Sequence, residues 1–234
     1  MHNKINHLAV IMDGNRRWAR KNSLDILLGH SKGGIDAARL TIQFCLEHSI
    51  SYLSLYTFSL ENFKRSSVEK NCLFNLITNV SQADKDSFIK NGIAIKFVGD
   101  RSLFPDLIKT SCDDLENITK DGKKLSVQIL FCYGGRQEIM AAAQLLSEKI
   151  NKGDLPETAW HDEKEFKKCL WSGDIPDPDL IIRTGGAKRL SNFLLFQSAY
   201  SELYFLDCFW PEVTYEKLTE AVQWFDEVKR NFGV

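Results

Sequence analysis

The chain has 234 residues, with 30 Lys+Arg against 31 Asp+Glu and a formal net charge of -1. That length is ample for a buried core, and the near-neutral balance excludes the clear basic excess expected of a nucleic-acid binder. Fifteen Phe, six Tyr and five Trp must be buried somewhere, which excludes a disordered chain.

In chain order, the strand-like runs are 7–12, 52–58, 93–98, 126–132, 179–183 and 202–205. Most are continuous, apolar and rich in β-branched or aromatic residues, as expected of strands buried on both faces of a parallel sheet. Between them, helical periodicity runs over about 32–48, 68–90, 103–120, 136–151 and 215–230. The stretch 151–178 holds three of the five prolines and reads as a connection with one short helix. Alternating strands and helices predict one α/β domain over residues 1–234, with a central, mostly parallel six-stranded sheet flanked by helices.

Cys45, Cys72, Cys112, Cys132, Cys169 and Cys208 form no Cys-x-x-Cys pair, which removes zinc-ribbon and dithiol readings. No signal peptide opens the chain and no apolar run is long enough to span a bilayer. A cytoplasmic protein with reduced thiols is the expectation.

Ligands of open parallel sheets bind beyond the carboxyl ends of the strands, and the informative segments follow the strand-like runs. After the first comes Asp13-Gly14-Asn15-Arg16-Arg17-Trp18. Exposed N–H groups at a helix start, flanked by guanidinium groups, suit a phosphate, and a carboxylate beside them suits Mg²⁺. The same residues also suit a plain capped turn with Asp13 as N-cap and solvated arginines. His30, after Gly29, either donates to a phosphate or caps a surface turn. Glu61-Asn62-Phe63-Lys64-Arg65 offers an amide, an aromatic and a guanidinium, or an ordinary loop. Arg183, Lys188, Arg189 and Ser191 surround Gly185-Gly186, the donor density a diphosphate needs. Glu202 is a lone carboxylate among aromatics, or a surface residue on an edge strand. Cys72, Leu73, Leu76, Ile77 and Val80 share one helical face, enough to line a pocket or simply to pack a core. Neither Gly-x-Gly-x-x-Gly nor Gly-x-x-x-x-Gly-Lys-Ser/Thr occurs, and no Ser-His-Asp or Cys-His pattern suggests a covalent nucleophile.

The run from His7 to Ala19 resembles the opening signature of the cis-prenyltransferases, the undecaprenyl diphosphate synthase family. Gly29-His30 with Gly33, Phe58-Ser59 with Glu61-Asn62, Gly99-Asp100, Tyr133 to Arg136, Arg183 to Gly186 and Arg189 to Leu195 follow in family order. Tyr200 with Glu202 to Phe205, Trp210-Pro211 and Phe232-Gly233 complete the match. Three places depart from the pattern. No arginine stands among Ser23 to Leu28, just before Gly29-His30, Phe63 and Ser66 replace a usual Trp and Pro, and Ala187-Lys188 replaces Glu-His.

The resemblance implies a homodimeric α/β enzyme that condenses isopentenyl diphosphate onto an allylic diphosphate, such as farnesyl diphosphate, with cis geometry. An apolar tunnel would hold the growing chain, and the product would be undecaprenyl diphosphate, a cell-wall carrier. It implies that the amides of Gly14, Asn15, Arg16 and Arg17 and the Arg17 side chain hold the allylic diphosphate, with Trp18 among the substrate-binding residues. Arg183, Arg189 and Ser191 would hold isopentenyl diphosphate. His30, Asn62 and Arg65 would position the diphosphates and the leaving proton, with Asp13 and Asn62 catalytic and Phe63 among the substrate-binding residues. Asp13 and Glu202 would bind Mg²⁺, partly across the dimer interface. Peripheral membrane contact for product release is a further expectation. A cis-prenyltransferase of different product length, or a non-catalytic partner subunit, are the alternatives. The partner-subunit reading fits less well, because such subunits typically lose the Asp13-Gly14-Asn15 segment.

Overall fold

The structure is a computed structural model that describes residues 4–229; Phe232-Gly233 lies outside them. Six strands form one sheet: β1 (His7–Ile11), β2 (Tyr52–Ser59), β3 (Ile93–Val98), β4 (Leu125–Tyr133), β5 (Leu180–Arg183) and β6 (Glu202–Phe205). Their order is β3-β4-β2-β1-β5-β6. Every pairing is parallel, with His7 beside Tyr52 and Leu8 beside Leu180. The expected sheet is present, and it is wholly parallel. All five residues of β1 are buried, because β1 lies between two neighbours and under helices on both faces.

From β1 the sheet extends in one direction through β2, β4 and β3, the chain reaching the edge strand β3 before returning to β4, and in the other through β5 and β6. The order therefore reverses between β1 and β5, and a crevice opens beyond the carboxyl ends at such a switch point.

The helices are α1 (Asn15–Lys21), α2 (Ile26–Leu28), α3 (Ile35–Glu47), α4 (Ser67–Lys90), α5 (Asp106–Thr119), α6 (Gly135–Asn151), α7 (Glu163–Cys169) and α8 (Tyr215–Glu227). Sequence periodicity begins the second long helix near Lys32, but regular α-structure starts only at Ile35, after a π-helical turn over Gly29–Gly34. Crowding explains the glycines of that turn. A Cβ on Gly29 would lie 2.6 Å from the Asn15 carbonyl oxygen, and one on Gly33 would lie 2.4 Å from Pro211.

One face of the sheet packs against α3, α4, α5 and α8 through a core that includes Phe44, Phe58, Phe131, Trp210 and Phe225. The other face holds Ile11, Leu130, Tyr133 and Phe193, with α6 and α7 contributing Ala142, Leu146 and Cys169. All six cysteines are free. Among the described residues, no helix is long and apolar enough to cross a membrane.

Candidate active site

The loops after β1, β2 and β5 converge over the switch point. Asp13 leaves β1 with its backbone fixed: its N–H donates to Thr184 Oγ1 at 3.0 Å, and its carbonyl accepts from Thr184 Oγ1 and the Trp210 N–H. Its carboxylate lies between two cations. Oδ1 accepts from Arg17 Nη2 at 3.1 Å and Oδ2 from Arg183 Nη2 at 2.9 Å. The alternative of Asp13 as a helix cap is therefore replaced. Gly14 is the N-cap of α1, in the left-handed region at φ 112°, and no side chain caps that helix. Its first-turn N–H groups have no intrahelical acceptor.

Two glycines permit this meeting of charges. A Cβ on Gly14 would stand 2.7 Å from the Phe209 ring, and one on Gly185 (φ +84°) would stand 2.6 Å from Arg17 Nη2. Either side chain would push Arg17 or its helix off the Asp13 carboxylate.

Arg183 ends β5 with a side chain only 4% exposed. Its Nη1 donates to Ser191 Oγ at 2.8 Å and to the Arg189 carbonyl. Arg189 Nε reaches the same Ser191 hydroxyl at 3.2 Å. Ser191 and Asn192 are both left-handed, at φ 52° and 66°, and Asn192 bonds its neighbours together. Its Nδ2 donates to Glu61 and Gln137 at 3.0 and 3.1 Å, while its Oδ1 accepts from the Arg136 N–H at 2.9 Å. The loops after β2 and β5 are thus tied to the start of α6.

A second cationic group gathers around Glu69, a residue the sequence reading passed over. Its side chain is 9% exposed, with Oε1 at 3.1 Å from Arg65 Nη1, 3.8 Å from Arg16 Nε and 3.5 Å from His30 Nε2. The His30 contact lacks hydrogen-bond geometry, and that buried nitrogen has no partner. Burial first, then the Arg65 charge, hold His30 below the usual imidazole range, so it is neutral at pH 7. A signal for Glu69 was present in Ser66-Ser67-Val68-Glu69, a capping-box spacing. Ser66 Oγ does accept from the Glu69 N–H at 3.3 Å. Asn62 lies on the turn Leu60–Lys64, where its Oδ1 accepts from the Ser59 N–H at 3.2 Å.

These groups ring a cavity of about 900 Å³. Asp13, Gly14, Asn15, Arg16, Arg17, His30, Asn62, Arg65, Arg183, Arg189 and Ser191 all line it. Its remaining lining is mostly hydrocarbon, from Ile35, Ala38 and Ile42 on α3, Leu73, Leu76, Ile77 and Val80 on α4, and Ile95, Val127, Ile129 and Phe131 on the sheet. Arg20, one turn beyond Arg16, also lines it, whereas Lys21 bonds Glu212 at 3.2 Å.

Three expected residues are not brought to the cavity. Trp18 points past it toward Gly33, and Phe63 packs edge-on against Phe58 with ring centroids 5.1 Å apart. Glu202 begins β6 beside Leu180, at the amino end of the sheet, whereas Asp13 lies past the carboxyl end of β1. One chain therefore keeps the two expected metal carboxylates apart. Lys188 is exposed and does not line the cavity.

A cationic rim over a hydrocarbon interior fits an amphiphile with an anionic head and a long apolar tail. Comparison with known proteins agrees. The family model described as "Putative undecaprenyl diphosphate synthase" matches residues 11–233. A ditrans,polycis-undecaprenyl-diphosphate synthase ((2E,6E)-farnesyl-diphosphate specific) of Pseudomonas syringae pv. tomato is 40% identical over 97% of this chain and 90% of its own length. A tritrans,polycis-undecaprenyl-diphosphate synthase (geranylgeranyl-diphosphate specific) of Picrophilus torridus is also 40% identical, over 97% of this chain and 89% of its own. The crystal structure of lavandulyl diphosphate synthase from Lavandula x intermedia, in complex with dimethylallyl diphosphate, superposes with a TM-score of 0.93 at 28% identity, covering 99% of both chains. The chain belongs to the undecaprenyl diphosphate synthase family of cis-prenyltransferases.

Proposed function

We propose that the protein condenses isopentenyl diphosphate units onto an allylic diphosphate with cis geometry and releases a polyprenyl diphosphate of the undecaprenyl class. The observation that carries this reading is the cavity itself: a rim of guanidinium groups opening onto an apolar interior of about 900 Å³. The Arg17 side chain and the first-turn N–H groups of Gly14 to Arg17 hold the allylic diphosphate, with Arg16 and Arg20 adding charge. Arg183, Arg189 and Ser191 hold isopentenyl diphosphate. As the allylic C–O bond breaks, the double bond of isopentenyl diphosphate forms the new C–C bond and a proton leaves the adjacent carbon. Oriented N–H groups and cations stabilise the charge that develops on the departing diphosphate. Neutral His30, with Asn62 and Arg65, positions the head groups and the leaving proton.

Asp13 fits a role in holding Mg²⁺. Each of its oxygens accepts a single guanidinium N–H, which leaves lone pairs available. Among the described residues no three His, Cys, Asp or Glu side chains form a protein-only metal cage. Mg²⁺ commonly takes one or two carboxylates and completes its shell with phosphate oxygens and water. When bound, it supplies positive charge beside the leaving oxygen. Glu202 joins that site only from a second copy of the chain, and a homodimer is part of this reading. We place the enzyme in the cytoplasm, with peripheral membrane contact during product release.

The test is direct. Purified protein is incubated with Mg²⁺, farnesyl diphosphate and labelled isopentenyl diphosphate, and the products are sized by chromatography and mass spectrometry. Elongation to products of undecaprenyl length is expected; an unextended primer overturns the reading.

A further inference from the structure

Two helices, α3 and α4, carry much of the cavity's hydrocarbon lining, and their backbones approach each other at few points. Across the gap, Arg39 on α3 donates from Nε and Nη2 to the two carboxylate oxygens of Asp84 on α4, both at 3.0 Å. A guanidinium–carboxylate fork of this kind fixes direction as well as distance. The pair does not belong to the diphosphate rim. Asp84 lies about 22 Å along α4 from Glu69, at 1.5 Å per residue. Both residues still line the cavity, beside Ala38, Ile42, Val80 and Phe88.

Exposure shows where the pair lies. The Arg39 side chain is 49% exposed and that of Asp84 is 17% exposed, so the fork crosses the crevice at its solvent edge. Asp36, a turn earlier on α3, lies 3.7 Å from Arg39 Nη1; exposed pairs of this kind add little to stability, which leaves the fork's place across the seam as the feature to explain. A hydrocarbon tail growing away from the rim gains by staying against apolar walls. Leaving between the helices would cover an ion pair with hydrocarbon, and removing water from paired charges is costly.

Building on the prenyl-transfer reading, we infer that the Arg39–Asp84 ion pair is a strap that closes the seam between α3 and α4 and limits how long a chain the cavity accepts. Its chemistry makes it a determinant of product length with no part in binding either diphosphate head.

The test compares product-length distributions for the wild type, Arg39→Met, Asp84→Asn and the reversed pair Arg39→Glu/Asp84→Arg, with farnesyl diphosphate, labelled isopentenyl diphosphate and Mg²⁺. Arg39→Met keeps an unbranched apolar stem and Asp84→Asn keeps size, so each removes the ionic fork while changing packing little. Each single variant is expected to lengthen and broaden the products by at least one isoprene unit, and the reversed pair is expected to restore the wild-type distribution. KM for both substrates should stay within about twofold, since charged-group contacts to the heads are untouched. Wild-type or shorter products from both single variants overturn the strap, as does a reversed pair no different from them. A wild type that elongates nothing overturns instead the prenyl-transfer reading.

Discussion

Two polar clusters occupy opposite ends of the same strands, and they are built differently. At the amino end, His7 places Nδ1 2.6 Å from the Pro176 carbonyl and Nε2 2.8 Å from Ser54 Oγ. Nε2 accepts the Ser54 hydroxyl proton, Ser54 Oγ lies 3.3 Å from Gln128 Oε1, and the Asp179 carboxylate accepts the N–H groups of Asn6 and His7 at 2.8 and 3.0 Å. Both imidazole nitrogens are satisfied within the protein. At the carboxyl end, Asn15 Oδ1, His30 Nε2 and Arg183 Nε are buried without partners, against Gln197 Oε1 alone beside the small cavity that His7 and Ser54 line. An unpaired buried polar group costs about 1–3 kcal/mol. The amino-end cluster contributes to folding. The carboxyl-end cluster keeps polar capacity unspent, and its left-handed Ser191 and Asn192 add backbone strain. The difference separates a polar cluster made for the fold from one made for a ligand.

The contrast implies that damage at the carboxyl end removes activity while the fold persists, and that damage at the amino end does the reverse. The largest effect is expected at Asp13. Asp13→Ala should lower Mg²⁺-dependent turnover on the order of 10²–10³-fold. Allylic diphosphate affinity, measured by calorimetry, should hold or tighten, because Arg17 and Arg183 each lose a competing carboxylate. Near-normal turnover would remove Asp13 from the mechanism.

A smaller loss is expected at Arg189, whose only described side-chain bond is to Ser191. Arg189→Ala should raise KM for isopentenyl diphosphate about 10- to 100-fold, the scale of a lost charge-assisted contact. KM for the allylic primer should change little. Equal shifts in both constants would mean that the two head groups do not occupy separate places.

The mildest test belongs to the amino end. Burial lowers the His7 pKa to about 4, while in the unfolded chain it returns to about 6.5. The unfolded state therefore binds the proton first. His7 contributes stability in full above about pH 6.5, and loses it as the pH falls toward about 4. Chemical denaturation across that window should show stability rising with pH, and His7→Ala should flatten part of the slope. The variant should unfold more easily, by about 2 kcal/mol, with unchanged kcat/KM for the folded fraction. A loss of kcat/KM at full folding would erase the distinction between the two ends.

The strands were legible because a wholly parallel sheet demands continuous apolar runs, and His7 to Ile11 or Ile93 to Val98 have no other simple use. The rim was legible because its cations follow strand ends and flank glycines. Direction and distance were less legible. Trp18 is adjacent to Arg17, but one residue turns a helix by about 100°, which carries the ring away from the cavity. Phe63 was read as a binder from its motif, yet an apolar partner in Phe58 claims its ring. Glu202 begins its strand at the far end of the sheet from Asp13, a separation that the expected arrangement across a dimer interface allows and that one chain's sequence does not display. Glu69 had only a local capping signal, which says nothing of Arg16 and His30 arriving from other elements, and the Arg39–Asp84 fork joins separate helices, which no local pattern encodes.

The bond between Asp13 and Arg183 joins residues 170 positions apart, and β1 needs β5 as a neighbour. The earliest part of the site to leave a ribosome is thus completed by some of the latest. A nascent chain ending before Ser191 has the Asp13 carboxylate and Arg17, yet lacks the hydroxyl that Arg183 and Arg189 share. Substrates and inhibitors of the rim can therefore stabilise only a chain whose synthesis is nearly finished. Partial products of translation stay outside their reach and are left to cellular quality control.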